Sequence, residues 1–237
     1  HISKEDKYTF AMQELSSYLG LKNIKKIEGY DVSHFSGDNA VASCVVFSSQ
    51  GPEKKNYRLF NIPRDLSGND IGSLEHVMQR RIKYYADSEL KPDVILIDGG
   101  KNQLNFVKSI INKSDHNDIK VISIVKGSKR VRATETIISE DGIIELDKYS
   151  KAFLILQEIR DESHRFAIRA QRNKKRKKIS QSELDSIKGI GEILKKRLLT
   201  KFKSIKNIKF AGIKELMTVE GINEKIAKEI LDKFKND

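Results

Sequence analysis

The sequence predicts an α/β domain with a mixed sheet and flanking helices, followed by a small all-α domain. Three observations carry this. Strand-like runs joined by short polar turns come first, then wholly apolar runs alternating with helical stretches, then an internal helical repeat at the C-terminal end.

Taken in order, residues 4–19 read as a helix closed by Gly20, with Phe10, Leu15 and Leu19 as core contacts. Three strands follow: "KIEGYDVSH" (26–34), "NAVASCVVFSS" (39–49) and "KNYRLFNI" (55–62). The short turns between them, "FSGDN" and "QGPEK", predict antiparallel pairing. "SGND" starts a helix over 70–86. Pro92 resets the chain, and "DVILID" (93–98) is a strand buried on both faces. A helix over 101–113 leads to a second buried strand, "KVISIVKG" (120–127), and "TETIIS" with "GIIEL" makes a small hairpin. Residues 151–172 form a long helix whose spacing buries Leu156, Ile159, Ser163, Phe166 and Ala170. In "RAQRNKKRKK" (169–178) seven of ten residues are basic, which reads as a solvated linker and a phosphate-tracking tether. The expected organisation is therefore an α/β domain over 1–172, a basic linker over 173–181 and an all-α domain over 182–237.

A hydrophobic fraction of 38% over 237 residues supports a packed core. Lys and Arg outnumber Asp and Glu by 45 to 33, a net charge of +12, which points to a polyanion, most commonly nucleic acid. No apolar run is long enough to cross a bilayer and no signal-peptide pattern opens the chain, so no membrane partner is expected. Cys44, the one cysteine, lies in "VASCVVF" and reads as a core residue. It excludes a disulfide framework or a zinc knuckle and suits the reducing cytoplasm. The chain starts at His1 and not at Met, as a piece of a longer protein would.

The repeat aligns "LDSIKGIGEILKKRLLTKF" (184–202) with "LMTVEGINEKIAKEILDKF" (216–234). Leu184 matches Leu216, Ile187 matches Val219, Gly189 matches Gly221, Ile190 matches Ile222, Leu198 matches Ile230 and Phe202 matches Phe234. Each copy reads helix, glycine turn, helix, and resembles a helix-hairpin-helix unit with its apolar-x-Gly-apolar-Gly signature. A glycine turn lets backbone N–H groups approach a phosphate, and the next helix adds its positive end. Gly189, Ile190, Gly191, Gly221, Ile222 and Asn223 are thus candidate DNA contacts. The competing reading is a plain helical hairpin with a glycine cap. Asn223 replaces the second glycine. Asn tolerates left-handed backbone, so the turn is expected to survive while gripping phosphate less well.

Asp31 lies in or near the end of the first strand and Asp98 ends the fourth. Strand ends beside crossovers are where α/β folds build sites. Two carboxylates brought together repel unless a cation lies between them, and oxygen ligands select Mg²⁺ or Mn²⁺. Each aspartate also has a structural reading, Asp98 as a cap for the helix starting near Lys101. His164, in "IRDESHRFAI", falls at the border of the buried helix face, where a side chain can look into a cleft. His34 is a weaker candidate, His116 reads as a loop residue and His76 as a helix-surface one.

"EGYDVSH", "ASCVVF", "GPEKKNYRLFNI", "LIDGGKNQL", "VKGSKR" and "LILQEIRDESHRFAIRAQR" together resemble the C-terminal half of the UvrC family, endonuclease subunits of bacterial nucleotide excision repair. The resemblance implies an RNase H-like fold with an Asp, Asp, His catalytic set, carried here by Asp31, Asp98 and His164. A further family aspartate, in "GDDYA", maps to Asp70 of "GNDIG", where Asn69 and Ile71 depart from the motif and Asp70 also suits the first turn of a helix. The implied chemistry is Mg²⁺- or Mn²⁺-assisted hydrolysis of damaged double-stranded DNA, on the 5′ side of the lesion. Lys126, Lys129, Arg130 and Arg132 would line the backbone path or else form a solvated loop, and Arg160 and Arg165 would orient phosphate or pair with Asp161 and Glu162. The family's GIY-YIG domain and the segment that binds its helicase-like UvrB partner lie upstream and are not recognised in these residues. Two other readings stay open: a non-catalytic DNA-binding module, in which the aspartates are turn and cap residues, and an RNA-directed RNase H-type nuclease.

Overall fold

The computed structural model describes residues 4–33, 40–126 and 135–235. They fall into two compact units, His1–Gln171 and Arg172–Asp237.

The first unit opens with α1 (Lys4–Leu19), which ends where Gly20 turns to φ +64° and Leu21 N–H returns to the Ser16 carbonyl. Tyr8, Ala11, Met12, Leu15 and Leu19 make its buried stripe at helical spacing. That stripe corrects the expectation for Phe10. Two residues past Tyr8, it faces away from the core, 47% exposed, beneath the Lys151 ammonium. Then come β1 (Lys26–Ser33), β2 (Val41–Ser48), the two-residue β3 (Gly51–Pro52) and β4 (Arg58–Asn61). The third expected strand is shorter than predicted because residues 54–56 wind into a 3₁₀ turn. Next are α2 (Asp70–Arg81), which tightens into a 3₁₀ turn over 82–84, β5 (Val94–Asp98), α3 (Lys101–Asn112), β6 (Lys120–Lys126), β7 (Glu135–Ser139) and β8 (Gly142–Ile144).

Among the described residues these strands form one mixed sheet of eight, ordered β3-β2-β1-β5-β6-β7-β8, with β4 also on β2. The early strands pair antiparallel, as the short turns predict, and β1, β5 and β6 run parallel in the centre. Strand alternation gives β1 two chemical faces. Gly29 and Asp31 look toward the long helix α4 (Lys151–Asp185), whereas Glu28 and Tyr30 look toward α2 and its 3₁₀ extension. Helix α4 does not stop where the basic linker was expected. Residues 173–181 are helical backbone, which follows from a stretch with no Gly or Pro and many good helix formers.

The second unit contains the C-terminal end of α4 followed by α5 (Glu192–Phe202), α6 (Ile205–Phe210), α7 (Ile213–Leu216) and α8 (Glu224–Lys235). Its core holds the matched pairs of the repeat: Leu184 and Leu216, Ile187 and Val219, Ile190 and Ile222, Leu198 and Ile230 are all buried. The two copies pack reciprocally. Gly189, at φ +89°, lies against Ile226, and Gly221, at φ +91°, lies against Leu194. Leu194 and Ile226 are themselves equivalents in the repeat, so each glycine turn rests on the other copy's second helix.

Candidate active site

Strand β1 delivers Asp31 and β5 delivers Asp98. The parallel register pairs Tyr30 with Ile97, which places the two aspartates at the next step on neighbouring strands. Residues in step on parallel strands project to the same face. On that face α4 presents His164, and its Nδ1 lies 3.1 Å from Asp31 Oδ2. The carboxylate is almost fully buried, while the imidazole is half exposed (side chain 53%) and open to solvent. The structure thus brings Asp31 and His164 together from elements 133 positions apart in sequence, and the strand register sets Asp98 next to Asp31. Among the described residues, no three His, Cys, Asp or Glu side chains converge closely enough to hold a metal ion as they stand.

The turn after Asp98 is built by neighbours. Gly100, not Asp98, is the N-cap of α3, and its N–H donates to Gln103 Oε1, which removes the alternative reading of Asp98 as the helix cap. The Ser123 hydroxyl reaches back to the Ile97 and Gly99 carbonyls and fixes the end of β5. Gln103 does double duty, since its Nε2 donates to Asp70 Oδ2 at 2.9 Å. Asp70 occupies the first position of α2 behind Asn69, whose side chain accepts from Gly72 N–H. Asn69, Asp70, Gly100, Lys101, Asn102 and Gln103 line an open depression of about 560 Å³ between the two helix starts. Asp70 is therefore tied to the Asp98 turn through Gln103. The glutamine three residues past the glycine is the sequence signal for its bond to Gly100; the bond to Asp70 has no such signal.

Other candidates are engaged by other partners or lie outside the described residues. Arg160 is largely buried and pairs with Glu135 of β7 and with Asp161. Gln157 donates to the same Glu135 at 2.7 Å, so this group ties β7 to α4. Arg165 pairs with Glu162. Lys126 is the last residue of β6, while His34, Lys129, Arg130 and Arg132 lie outside the described residues. His76 is partly buried on α2, and His116 sits edge-on to the Tyr85 ring.

Behind the site, on the opposite face of β1, Glu28 is wholly buried. Its carboxylate accepts from Arg81 Nε at 2.9 Å and a second Arg81 nitrogen, from Tyr30 at 2.5 Å and from Tyr85 at 2.6 Å. Burial pushes both phenols well above the ordinary tyrosine range, with the Glu28 charge adding to the shift. Burial likewise raises the Cys44 thiol, which lies in the core as expected.

In the hairpins, Ile190 and Ile222 turn into the core and anchor the turns. Gly191 is the N-cap of α5 and offers no side chain to its first N–H groups. Asn223 differs from the expected left-handed position: its Oδ1 accepts from Ile226 N–H at 2.9 Å, capping α8. Among the described residues the one non-glycine with positive φ is Lys203. Glu220, beside the second turn, is held by Arg197 through its carbonyl (2.8 Å) and its carboxylate (3.1 Å). No helix of the described residues is long and apolar enough to cross a membrane.

Comparison with known proteins agrees with this anatomy. Residues 16–168 match the UvrC RNAse H endonuclease domain, and residues 182–236 match the SAM-like helix-hairpin-helix tandem. The chain is 39% identical over 218 residues to the UvrABC system protein C of Legionella pneumophila (strain Paris), covering 91% of this chain and 35% of that protein. It is 37% identical over 216 residues to the UvrABC system protein C of Pseudoalteromonas translucida, covering 90% of this chain and 36% of that protein. The chain thus spans about a third of the length of these curated relatives. Among solved structures, endonuclease V of Streptomyces avermitilis aligns with a TM-score of 0.35 at 11% identity, over 72% of this chain and 94% of that one. A mixed sheet with Asp31, Asp98 and His164 on one face, followed by two matched glycine hairpins, accords with those two domain matches, and the chain belongs to the UvrC family.

Proposed function

We propose that this chain is a metal-dependent endonuclease that cuts DNA on the 5′ side of a lesion in nucleotide excision repair, its helix-hairpin-helix unit holding the duplex. The observation that carries the reading is the meeting of Asp31 and His164, with Asp98 in step beside them. A pure binding module has no use for a buried carboxylate aimed at a solvent-facing imidazole.

The donor chemistry fits a hard divalent ion. Two carboxylates suit Mg²⁺ or Mn²⁺, and the imidazole nitrogen makes Mn²⁺ the better match. Asp31, Asp98 and His164 would hold it, and the bound ion supplies charge neutralisation at the scissile phosphate and Lewis acidity. With the Asp31 carboxylate accepting, His164 Nδ1 carries the proton and Nε2 presents a lone pair to solvent. That nitrogen is the one placed to ligate or to orient and deprotonate the attacking water. Asp70, fixed by Gln103, belongs to the margin of the same site. Gly189 and Gly191 of the first turn lend backbone N–H groups to phosphate, which positions a duplex without reading its sequence. The second turn, self-capped by Asn223 and flanked by Glu220, contributes less.

The test is nicking of supercoiled plasmid with Mn²⁺ or Mg²⁺. Asp31→Ala, Asp98→Ala and His164→Ala each lose on the order of 100-fold or more in rate while DNA affinity holds. An Asp98→Ala protein that is folded and nicks at the parental rate refutes the assignment.

A further inference from the structure

We infer that Gly29 and Ser43 are positioning residues that set His164 against Asp31, an inference that rests on the catalytic reading above. Neither residue touches the site's open side. Both lie in the sheet beneath it, and together they fix how close α4 comes and how far along the sheet it sits.

Asp31 and Ser43 are register partners on the antiparallel β1 and β2, and so share the face that α4 covers. Ser43 is fully buried, and its hydroxyl donates to the Ser163 carbonyl at 2.8 Å. That carbonyl belongs to the residue immediately before His164. One helical turn earlier, Ile159 rests on Gly29, two residues before Asp31. A methyl added at Gly29 would fall inside the space of the Ile159 Cγ2 methyl. Val45 Cγ2 at 3.3 Å and the Ile159 carbonyl at 3.6 Å close off the other directions. Gly29 has no left-handed backbone to explain it, since its φ is negative and any residue could adopt it. What the position demands is the absence of a side chain.

The two contacts are commensurate. Ile159 to Ser163 is a rise of about 6 Å along a helix, and Gly29 to Asp31 is about 6.7 Å along a strand. A helix seated on Gly29 at one turn therefore arrives over the Asp31–Ser43 pair at the next. Gly29 sets the height of α4 and Ser43 locks its register. The 3.1 Å contact between His164 and Asp31 follows from both. A buried serine that bonds to a helix carbonyl, where an apolar residue would pack, makes sense as such a lock.

The test compares Gly29→Ala, Ser43→Ala and the double variant Gly29→Ala/Ile159→Ala in the whole chain, with Mn²⁺ and plasmid DNA. A displacement near 1 Å at a reacting group lowers turnover on the order of 100-fold, the loss expected for Gly29→Ala. Loss of one hydrogen bond corresponds to about tenfold, the loss expected for Ser43→Ala. Both losses fall in kcat, with KM for DNA unchanged. Mn²⁺ affinity, read from the EPR signal of the free ion, weakens in parallel and needs no turnover. Trimming Ile159 restores room for the added methyl, so the double variant recovers rate over Gly29→Ala. Folded Gly29→Ala and Ser43→Ala proteins with parental kcat and Mn²⁺ affinity overturn the inference, as does a loss confined to KM. If the Gly29 variants melt below the assay temperature, Ser43→Ala, which removes a single oxygen, decides alone. Asp31→Ala and His164→Ala run beside them. If those two cut at the parental rate, the catalytic reading itself has failed. If they are dead while Ser43→Ala and Gly29→Ala are unimpaired, only this inference has.

Discussion

Replacing Arg81 with Met would leave Glu28 as a buried charge with no cation. In the parent the Glu28 carboxylate receives four hydrogen bonds, two of them from Arg81, and neither side chain has appreciable contact with water. Methionine keeps the aliphatic bulk but removes two charge-assisted donors and the compensating charge. Breaking a buried pair from one side costs roughly 3–5 kcal/mol. For a unit of this size each kcal/mol is worth about 2–4 °C, so the transition should fall by roughly 6–20 °C. The double variant Glu28→Gln/Arg81→Met removes the charge along with its partner and leaves an amide oxygen for Tyr30 and Tyr85. Its loss should be about 1–2 kcal/mol, well short of the single variant's. The assay is thermal unfolding followed by near-ultraviolet circular dichroism of tyrosine. All seven tyrosines lie before residue 172 and the chain has no tryptophan, so this signal reports the sheet-containing unit without interference from the hairpins. An Arg81→Met protein that loses less than about 1 kcal/mol, or a double variant no more stable than the single, refutes the idea that Glu28 is held as an ion by Arg81.

The same cluster makes the unit sensitive to alkali. Tyr30 and Tyr85 have folded-state pKa values raised above 10.0, so the stability they contribute is complete below pH 10 and is lost as pH rises beyond it, at about 2.7 kcal/mol per pH unit for two groups. Absorbance at 295 nm should show these two phenols ionising only with unfolding; early, reversible titration of all seven would contradict the burial. In the hairpins, alanine at Gly221 should destabilise more than alanine at Gly189. Both residues have positive φ, but an added methyl at 221 meets Leu194 at 2.8 Å whereas one at 189 meets Ile226 at 3.5 Å. Far-ultraviolet melting of the two variants gives the order directly.

Much of the fold was legible because its signals are local. Alternation and turn chemistry marked the early strands, the continuous apolar run at residues 94–97 marked a central parallel strand, and the repeat announced itself by spacing. Asp31 and Asp98 stood out as carboxylates at strand ends, and His164 as a polar residue on the border of an apolar stripe. What escaped depends on facing and register, which one-dimensional patterns do not carry. Phe10 looked like core until Tyr8 claimed the stripe. Gly29 and Ser43 are unremarkable letters until β1 is set against β2 and α4 is laid across both. Gln103 reaches two partners that only meet when α2 and α3 start at the same place. The basic run at 169–178 reads as part of a linker by its charge, whereas its backbone follows its helix-forming residues. Asn223 was judged by the backbone it tolerates, and the structure uses its side chain instead.

The crossed packing of the two glycine turns has a consequence for assembly. A lone hairpin of this type would be half of a two-fold object, with its turn unsupported and an apolar helix face bare. Two separate copies could complete each other only as a dimer, at a strength that depends on concentration. Joining the copies through α6 moves that symmetry axis inside one polypeptide, so the completed pair forms at any dilution. Once the halves are joined they are also free to diverge. Gly191 and Asn223, equivalent in position in the repeat, already serve different ends: one leaves its helix start open and the other seals it.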